Sequence, residues 1–173
     1  MMGAGKSSVA RCLRRRMGLA LLDIDEIVAS SFEMSIPEIF AEHGEKTFRD
    51  AETEALRRVR TEEQTIIITG GGIVLRKENV EILGSQAAIV WLDAGEETLF
   101  ARASRKQNRP LLQTKNPRKT FSQILAARRP LYANIANIRV DTSVLTDEEV
   151  AVAILAKLRR MNPKPESPIR AKA

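Results

Sequence analysis

The stretch that decides the fold is Gly3-Ala4-Gly5-Lys6-Ser7-Ser8, which follows two methionines at the start of the sequence. It matches the second half of the phosphate-binding loop signature G-x-x-x-x-G-K-[ST], with Gly5, Lys6 and Ser7 at the last three fixed positions. In such a loop, glycines allow backbone N–H groups to surround phosphate oxygens, and the following helix directs its positive N-terminal end at them. The stretch therefore predicts a nucleotide-phosphate site.

The residues after the loop have the period of a helix. Val9, Leu13 and Met17 form one apolar stripe, and Gly18 is placed to end the helix. Given a helix that begins near Lys6, the lysine would reach the β- and γ-phosphates and the Ser7 hydroxyl would bind Mg²⁺.

Composition limits the possible functions. A chain of 173 residues that is 43% hydrophobic is expected to form one domain with a substantial core. It has no apolar run long enough for a membrane span and no signal peptide, so we expect a cytoplasmic protein. Cys12 is the only cysteine, which excludes a disulfide scaffold.

The charge balance favours small anionic ligands over nucleic acid. The net charge is +6, but only 4% of residues are aromatic, which leaves little for stacking on bases. Part of the positive charge also lies in the C-terminal segment. Arginines inside the chain are better explained by an anionic small-molecule substrate.

Short apolar runs alternate with helical patterns along the chain. Four strands are predicted at 19–23, 65–69, 87–92 and 138–140; the first and third are expected to be buried, and the second to be buried on both faces. This alternation predicts an α/β fold with three layers and a parallel sheet, whose ligands bind at the carboxyl ends of the strands.

Several boundaries follow from local signals. Capping boxes at 35–38 and 146–149 begin two helices, another helix runs from Glu96 to about Lys106, and Pro130 is expected to interrupt a further one at 121–134. A polar, proline-bearing loop occupies 107–117. We assign 1–160 to one domain and 161–173 to a disordered tail.

Seven ordered motifs give the sequence a close resemblance to the shikimate kinase family from Gly3 to about Leu158. They are Gly-Ala-Gly-Lys-Ser-Ser, Leu-Leu-Asp-Ile-Asp, Met-Ser-Ile-Pro-Glu-Ile-Phe, His-Gly-Glu-Lys-Thr-Phe-Arg with Glu52 after it, Thr-Gly-Gly-Gly-Ile-Val, Asn-Arg-Pro-Leu-Leu and Arg-Arg-Pro-Leu-Tyr. The resemblance implies a P-loop kinase, expected to be monomeric, that transfers a phosphoryl group from ATP to the 3-hydroxyl of shikimate with Mg²⁺, in aromatic amino-acid biosynthesis.

The resemblance also implies a role for each matched residue. Lys6, Asp25 and Arg109 would be catalytic, with Arg109 in a lid at about 104–117. Ser7 and Asp23 would lie on the metal side. ATP would contact Gly3, Ala4, Gly5, Lys6, Ser7, Ser8, Arg102 and Arg109. Shikimate would contact Asp25, Arg49, Gly70, Gly71, Gly72 and Arg128, with the two arginines on its carboxylate.

Other interpretations of these residues stay open. Asp23 and Asp25 could be solvated turn residues, and Arg49 a surface charge. The chain could also be another small-metabolite kinase, such as a gluconate kinase, or a non-catalytic nucleotide-binding protein. The pairing of Arg49 with Arg128 favours a substrate that carries a carboxylate beside an alcohol.

One part of the family pattern has no match. The first loop glycine would fall one residue before Met1, and the family begins with a hydrophobic strand that is central in its sheet. We therefore expect two strands with an unpaired edge, a gap in the core and a tendency to aggregate. Two explanations for the missing strand and glycine stay open: the true start codon lies upstream of Met1, or the protein is truncated.

Overall fold

The computed structural model describes residues 1–59, 63–105 and 109–161. Four short strands lie among the helices: β1 Ala20–Asp23, β2 Thr65–Ile68, β3 Val90–Asp93 and β4 Ile138–Asp141. The helices are α1 Lys6–Met17, α2 Ile24–Phe32, α3 Ile36–Glu42, α4 Gly44–Arg58, α5 Lys77–Gln86, α6 Glu96–Ser104, α7 Pro117–Ile135 and α8 Asp147–Met161. The predicted alternation of parallel strands and helices is confirmed.

The strands form two separate parallel pairs. Strand β1 pairs with β2, with Ala20 opposite Thr65, and β3 pairs with β4, with Val90 opposite Ile138. Within the described ranges, no strand pairing joins the two pairs into one sheet. This arrangement agrees with the expected gap between two unpaired strands.

The burial predicted for β1 is wrong, because Ala20 is exposed and the other three residues of the strand are only half-buried. The burial predicted for β2 is wrong as well. We expected this strand to be covered on both faces, but Thr65, Ile66 and Ile67 are only half-buried and Ile68 alone is buried. A strand in the middle of a sheet is shielded by a neighbour along each edge, whereas in the described part of the chain β2 pairs only with β1.

The phosphate-binding loop leads into α1 as predicted. The helix begins at Lys6 and ends before Gly18, whose φ of 69° is the left-handed conformation that glycine adopts without strain. Gly3 also has a positive φ of 79°, and a Cβ there would overlap the carbonyl of Leu99. The turn that carries the loop therefore depends on glycine at position 3.

The structure adds one helix that was not predicted and corrects two local predictions. Helix α2 was not predicted; it begins because the Asp23 side chain accepts a hydrogen bond from the Asp25 N–H. Helix α7 runs unbroken from Pro117 to Ile135 with the exposed Pro130 inside it, so the hydrogen bond that proline cannot donate does not end the helix. Helix α6 ends at Ser104, and not near Lys106.

Both predicted capping boxes are present. Ser35 and Glu38 exchange hydrogen bonds at the start of α3, and Thr146 and Glu149 do so before α8. A short 3₁₀ turn occupies Pro110–Leu112 within the predicted lid. Residues 106–108 of that lid and residues 162–173 of the predicted tail lie outside the described residues.

One continuous core joins the two strand pairs to the helices around them. Its fully buried side chains include Leu56, Leu99 and Phe121, and Cys12 is a buried free thiol. Among the helices that the structure describes, none is long and apolar enough to cross a bilayer.

Candidate active site

The phosphate-binding loop and its lysine face the carboxyl ends of the strands. Gly5 adopts φ 83° immediately before α1, and the Lys6 ammonium donates to the carbonyl oxygen of Met1 at 3.0 Å. Desolvation by burial lowers the pKa of Lys6 to about 8, although Asp25 and Asp23 act in the opposite direction. A buried cation at this place is suited to a polyphosphate, whose negative charge would restore the ordinary pKa.

The three glycines after β2 bring the predicted substrate residues together. A Cβ on Gly70 would lie 2.8 Å from Oδ1 of Asp25, and a Cβ on Gly72 would overlap the guanidinium of Arg49. On the other side of the turn, Nη1 of Arg128 donates to the carbonyl oxygen of Gly71 at 3.0 Å. The backbone of the glycine turn is therefore surrounded by two arginine side chains and one carboxylate.

Arg49 is held between two glutamates of its own helix. Its Nη1 donates to Glu52 at 2.9 Å, while Nε and Nη2 donate to Oε1 of Glu45 at 3.2 and 3.0 Å. The side chain of Glu52 is fully buried, whereas that of Glu45 is 46% exposed. Three of the five guanidinium hydrogens are thus used inside the protein, and two remain for a ligand.

Two carboxylates, the half-buried Asp25 and the buried Glu52, meet at Gly70. Oδ1 of Asp25 and Oε1 of Glu52 are both buried without a hydrogen-bond partner in the described structure, and each lies within 2.8 Å of the position a Gly70 Cβ would take. Burial raises the pKa of Asp25 despite the opposing charges of Lys6, Arg49 and Arg109. Oxygen acceptors left unpaired in this way are suited to hydroxyl donors of a ligand.

Asp23 lies at the rim of the same site. One of its oxygens caps α2, and burial raises the pKa of this half-buried carboxyl, with Asp25 adding repulsion. In the described ranges, no cluster of three or more histidines, cysteines or acids is present to hold a metal by protein ligands alone. A serine hydroxyl and one carboxylate are the kind of oxygen ligands that Mg²⁺ takes beside waters and phosphate oxygens, so Ser7 and Asp23 stay the predicted metal ligands.

The arginines named in the sequence lie in different surroundings. Nε of Arg109 is buried without a hydrogen-bond partner in the part of the chain described, and burial lowers the pKa of this residue, opposed by Asp25. Arg102 instead donates to the side chain and carbonyl of Thr142, near the end of β4. Arg129 faces Asp93, so Arg128 is the member of that adjacent pair beside the glycine turn.

Sequence reasoning missed three residues at this site. Glu52 and Glu45 flank Arg49 at helical spacings of three and four, a pattern that could have identified both as its partners. The Tyr132 hydroxyl donates to the carbonyl of Gly71, beside the bond from Arg128. No local spacing indicates Tyr132, because 61 residues separate it from Gly71.

Parallel strands, a glycine–lysine–serine turn into a helix, and buried acids and arginines at the strand ends define an α/β protein of the phosphate-binding-loop class. The shikimate kinase family model matches residues 2–159. The chain belongs to the shikimate kinase family.

Individual relatives agree with this assignment. The chain is 39% identical to a shikimate kinase of Thermodesulfovibrio yellowstonii over 93% of its own length and 92% of that relative. It is 40% identical to one of Rhodopseudomonas palustris over 87% of its length and 76% of the relative. Among solved structures, the shikimate kinase of Acinetobacter baumannii in complex with shikimate matches with a TM-score of 0.89 and 33% identity, over 94% of this chain and 91% of that one.

Proposed function

We propose that this protein transfers the γ-phosphoryl group of ATP to the 3-hydroxyl of shikimate. The observation that carries the proposal is the arrangement around the glycine turn, where Asp25 lies against Gly70, Arg128 against Gly71 and Arg49 against Gly72. Guanidinium groups bind carboxylates with two parallel hydrogen bonds, and a carboxylate oxygen accepts from a hydroxyl. The site therefore suits a small acid that carries hydroxyl groups.

The residues of the site have complementary roles in this reaction. Asp25 orients the acceptor hydroxyl and takes its proton, which its raised pKa favours. Lys6 and Arg109 supply positive charge to the phosphoryl group during transfer, and the loop glycines bind the other phosphates through backbone N–H groups. Little covalent chemistry is left for the protein, so positioning and charge account for most of the rate.

We assign Mg²⁺ to Ser7 and Asp23 at the rim of the site. The ion supplies charge neutralisation at the phosphates when it is bound. We also propose that residues 1–160 act as one catalytic domain and that the protein works as a monomer. The role of Arg102 beside adenine and the closure of the lid over both ligands stay predictions.

The carboxylate assignment predicts a selective loss of affinity in Arg49→Lys and Arg128→Lys. A lysine keeps the charge but cannot form the bidentate hydrogen bonds to the shikimate carboxylate, so we expect shikimate binding to weaken about 10- to 100-fold. ATP binding should change by less than about threefold. Isothermal titration calorimetry with each ligand measures both values.

Arg57→Lys is the matched control for this experiment. Arg57 lies on the same helix as Arg49, and it pairs with Glu78 and Glu54 at the surface. Its replacement should leave both affinities unchanged. A weaker ATP affinity in Arg49→Lys, with shikimate binding intact, would mean that Arg49 serves the nucleotide and not the carboxylate.

The contact between Glu45 and Arg49 predicts the opposite effect on substrate affinity. The Glu45 carboxylate takes two N–H groups of Arg49 and repels a second anion, so Glu45→Gln should lower the KM for shikimate about 2- to 5-fold. Glu54→Gln is the control, because Glu54 pairs with Arg58 on the exposed side of the same helix. A raised KM in Glu45→Gln would show instead that Glu45 orients Arg49.

A further inference from the structure

The carbonyl oxygen of Gly71 accepts hydrogen bonds from two side chains of helix α7. Nη1 of Arg128 donates to it at 3.0 Å, and the Tyr132 hydroxyl donates to the same oxygen. Arg128 and Tyr132 are four residues apart, so they lie one turn apart on the same face of the helix. Two donors occupy both lone pairs of the carbonyl oxygen. The contact therefore joins one face of α7 to a single point of the glycine turn.

The neighbouring carbonyls of the turn are held by local backbone bonds. The Ile73 N–H donates to the carbonyl of Gly70 at 3.3 Å, and the Leu75 N–H donates to that of Gly72 at 3.0 Å. Glycines have no Cβ to restrict the rotation of the peptides between them. The direction of the Gly71 carbonyl therefore depends on the two donors that reach it from α7.

The ring of Tyr132 is held by packing, which makes its hydroxyl a fixed donor. The residue is buried, and its ring lies against that of Trp91 with the ring centroids 5.8 Å apart. Burial raises the pKa of the hydroxyl, although the positive charge of Arg128 acts in the opposite direction. The hydroxyl therefore keeps its proton at neutral pH and can donate a hydrogen bond to the Gly71 carbonyl.

The direction of this carbonyl matters for the arginine beside it. The bond to Gly71 uses one of the five N–H groups of the Arg128 guanidinium, and a carboxylate ligand needs two parallel N–H groups in one plane. Such a planar match tolerates little rotation of the guanidinium. A carbonyl that is fixed by Tyr132 therefore also fixes the edge that Arg128 presents to a carboxylate.

Tyr132 also lowers the energetic cost of engaging Arg128. A carboxylate binds a guanidinium more strongly than a peptide carbonyl does, so a bound substrate competes with Gly71 for the N–H groups of Arg128. If Arg128 were the sole donor, this competition would leave the carbonyl without a partner, which costs free energy. The second bond, from Tyr132, keeps the carbonyl satisfied while Arg128 binds the substrate.

We propose that Tyr132 is a positioning residue for substrate binding: its hydroxyl fixes the Gly71 carbonyl, which in turn orients the guanidinium of Arg128 toward the substrate carboxylate. The inference rests on the proposed function, which assigns Arg128 to the carboxylate of shikimate. Tyr132 acts through Arg128 and does not itself touch the substrate. Its effect should therefore fall on shikimate affinity and disappear when Arg128 is replaced.

The test is a double-mutant cycle. Tyr132→Phe removes the hydroxyl and keeps the ring, and it should raise the KM for shikimate about 3- to 10-fold. Both kcat and the KM for ATP should change by less than about twofold. In the Arg128→Lys background, the same substitution should raise the shikimate KM by less than about twofold, because the group that Tyr132 orients is gone. Initial rates and calorimetric titration with shikimate measure all four proteins.

Ile154→Val separates substrate affinity from stability. Ile154 is buried on α8, so its truncation should lower the unfolding midpoint and leave both KM values unchanged. Equal rises in the shikimate KM in both backgrounds would mean that Tyr132 does not act through Arg128, and would overturn the inference. An unchanged KM in Tyr132→Phe would overturn it alone, provided that the parent binds shikimate. A parent that binds no shikimate would overturn the proposed function and this inference together.

Discussion

Lys6→Met should reduce turnover of shikimate and ATP by a factor on the order of 10² to 10⁵. The side chain keeps much of its length but loses the charge that stabilises the phosphoryl group in the transition state. The expected defect is in kcat, with shikimate affinity nearly unchanged, because the lysine lies on the phosphate side of the site. Initial rates in a coupled assay, with ADP release as the readout, measure this loss.

The loss in Lys6→Met should not come from unfolding. Burial lowers the pKa of Lys6. Near neutral pH, keeping this side chain charged in the unliganded protein therefore lowers the free energy of unfolding. Methionine removes that cost, so the variant without ligands should melt no lower than the parent. Lys77→Met, at an exposed position of α5, is the control and should keep full turnover. Near-normal turnover in Lys6→Met would overturn the assignment of the phosphate site.

Asp25→Asn should reduce turnover by about 10² to 10⁴, which is the usual contribution of a positioned general base. The amide still accepts a hydrogen bond from a hydroxyl but cannot take its proton, so the effect should fall on kcat more than on KM. Glu26→Gln is the matched control, because Glu26 is the exposed neighbour of Asp25 on α2. Similar losses in both variants would argue against a role for Asp25 as base.

The same substitution should stabilise the protein in the absence of ligands. The folded-state pKa of Asp25 is raised above its value in the unfolded chain, so the cost of ionising this carboxyl grows as pH rises from about 3.9 through the folded-state pKa and is complete above it. Asp25→Asn should therefore melt at a higher temperature than the parent at pH 7. The difference should shrink as pH falls and vanish below about 3.9, where the carboxyl is protonated in both folded and unfolded chains. A variant that melts lower at pH 7 would contradict this account.

The sequence was a good guide wherever a local pattern has one structural solution. The turn into α1 follows from glycine and lysine spacing, and both capping boxes form because their side chains pair with backbone groups three residues away. The same reasoning correctly grouped Asp25 with the three glycines after β2, since the carboxyl ends of parallel strands share one edge.

Local sequence patterns could not predict features that depend on residues far away in the sequence. Nothing near Ile66 and Ile67 in the sequence shows that, among the described residues, the second edge of β2 has no paired strand, and so the burial of β2 was overestimated. Helix α7 also continues through Pro130, although a proline removes one hydrogen bond from the helix interior. The hydrogen bond from Tyr132 to Gly71 arises only when α7 packs against the glycine turn.

The most direct measurement is identification of the product formed by the purified 173-residue chain from ATP, Mg²⁺ and shikimate. The protein should first be shown to be folded by circular dichroism. We expect ³¹P NMR to show a new phosphate monoester on the 3-hydroxyl of shikimate, formed with one ADP per product, and no comparable product from gluconate. A folded protein that binds ATP but leaves shikimate unmodified, or that phosphorylates gluconate faster, would contradict the account.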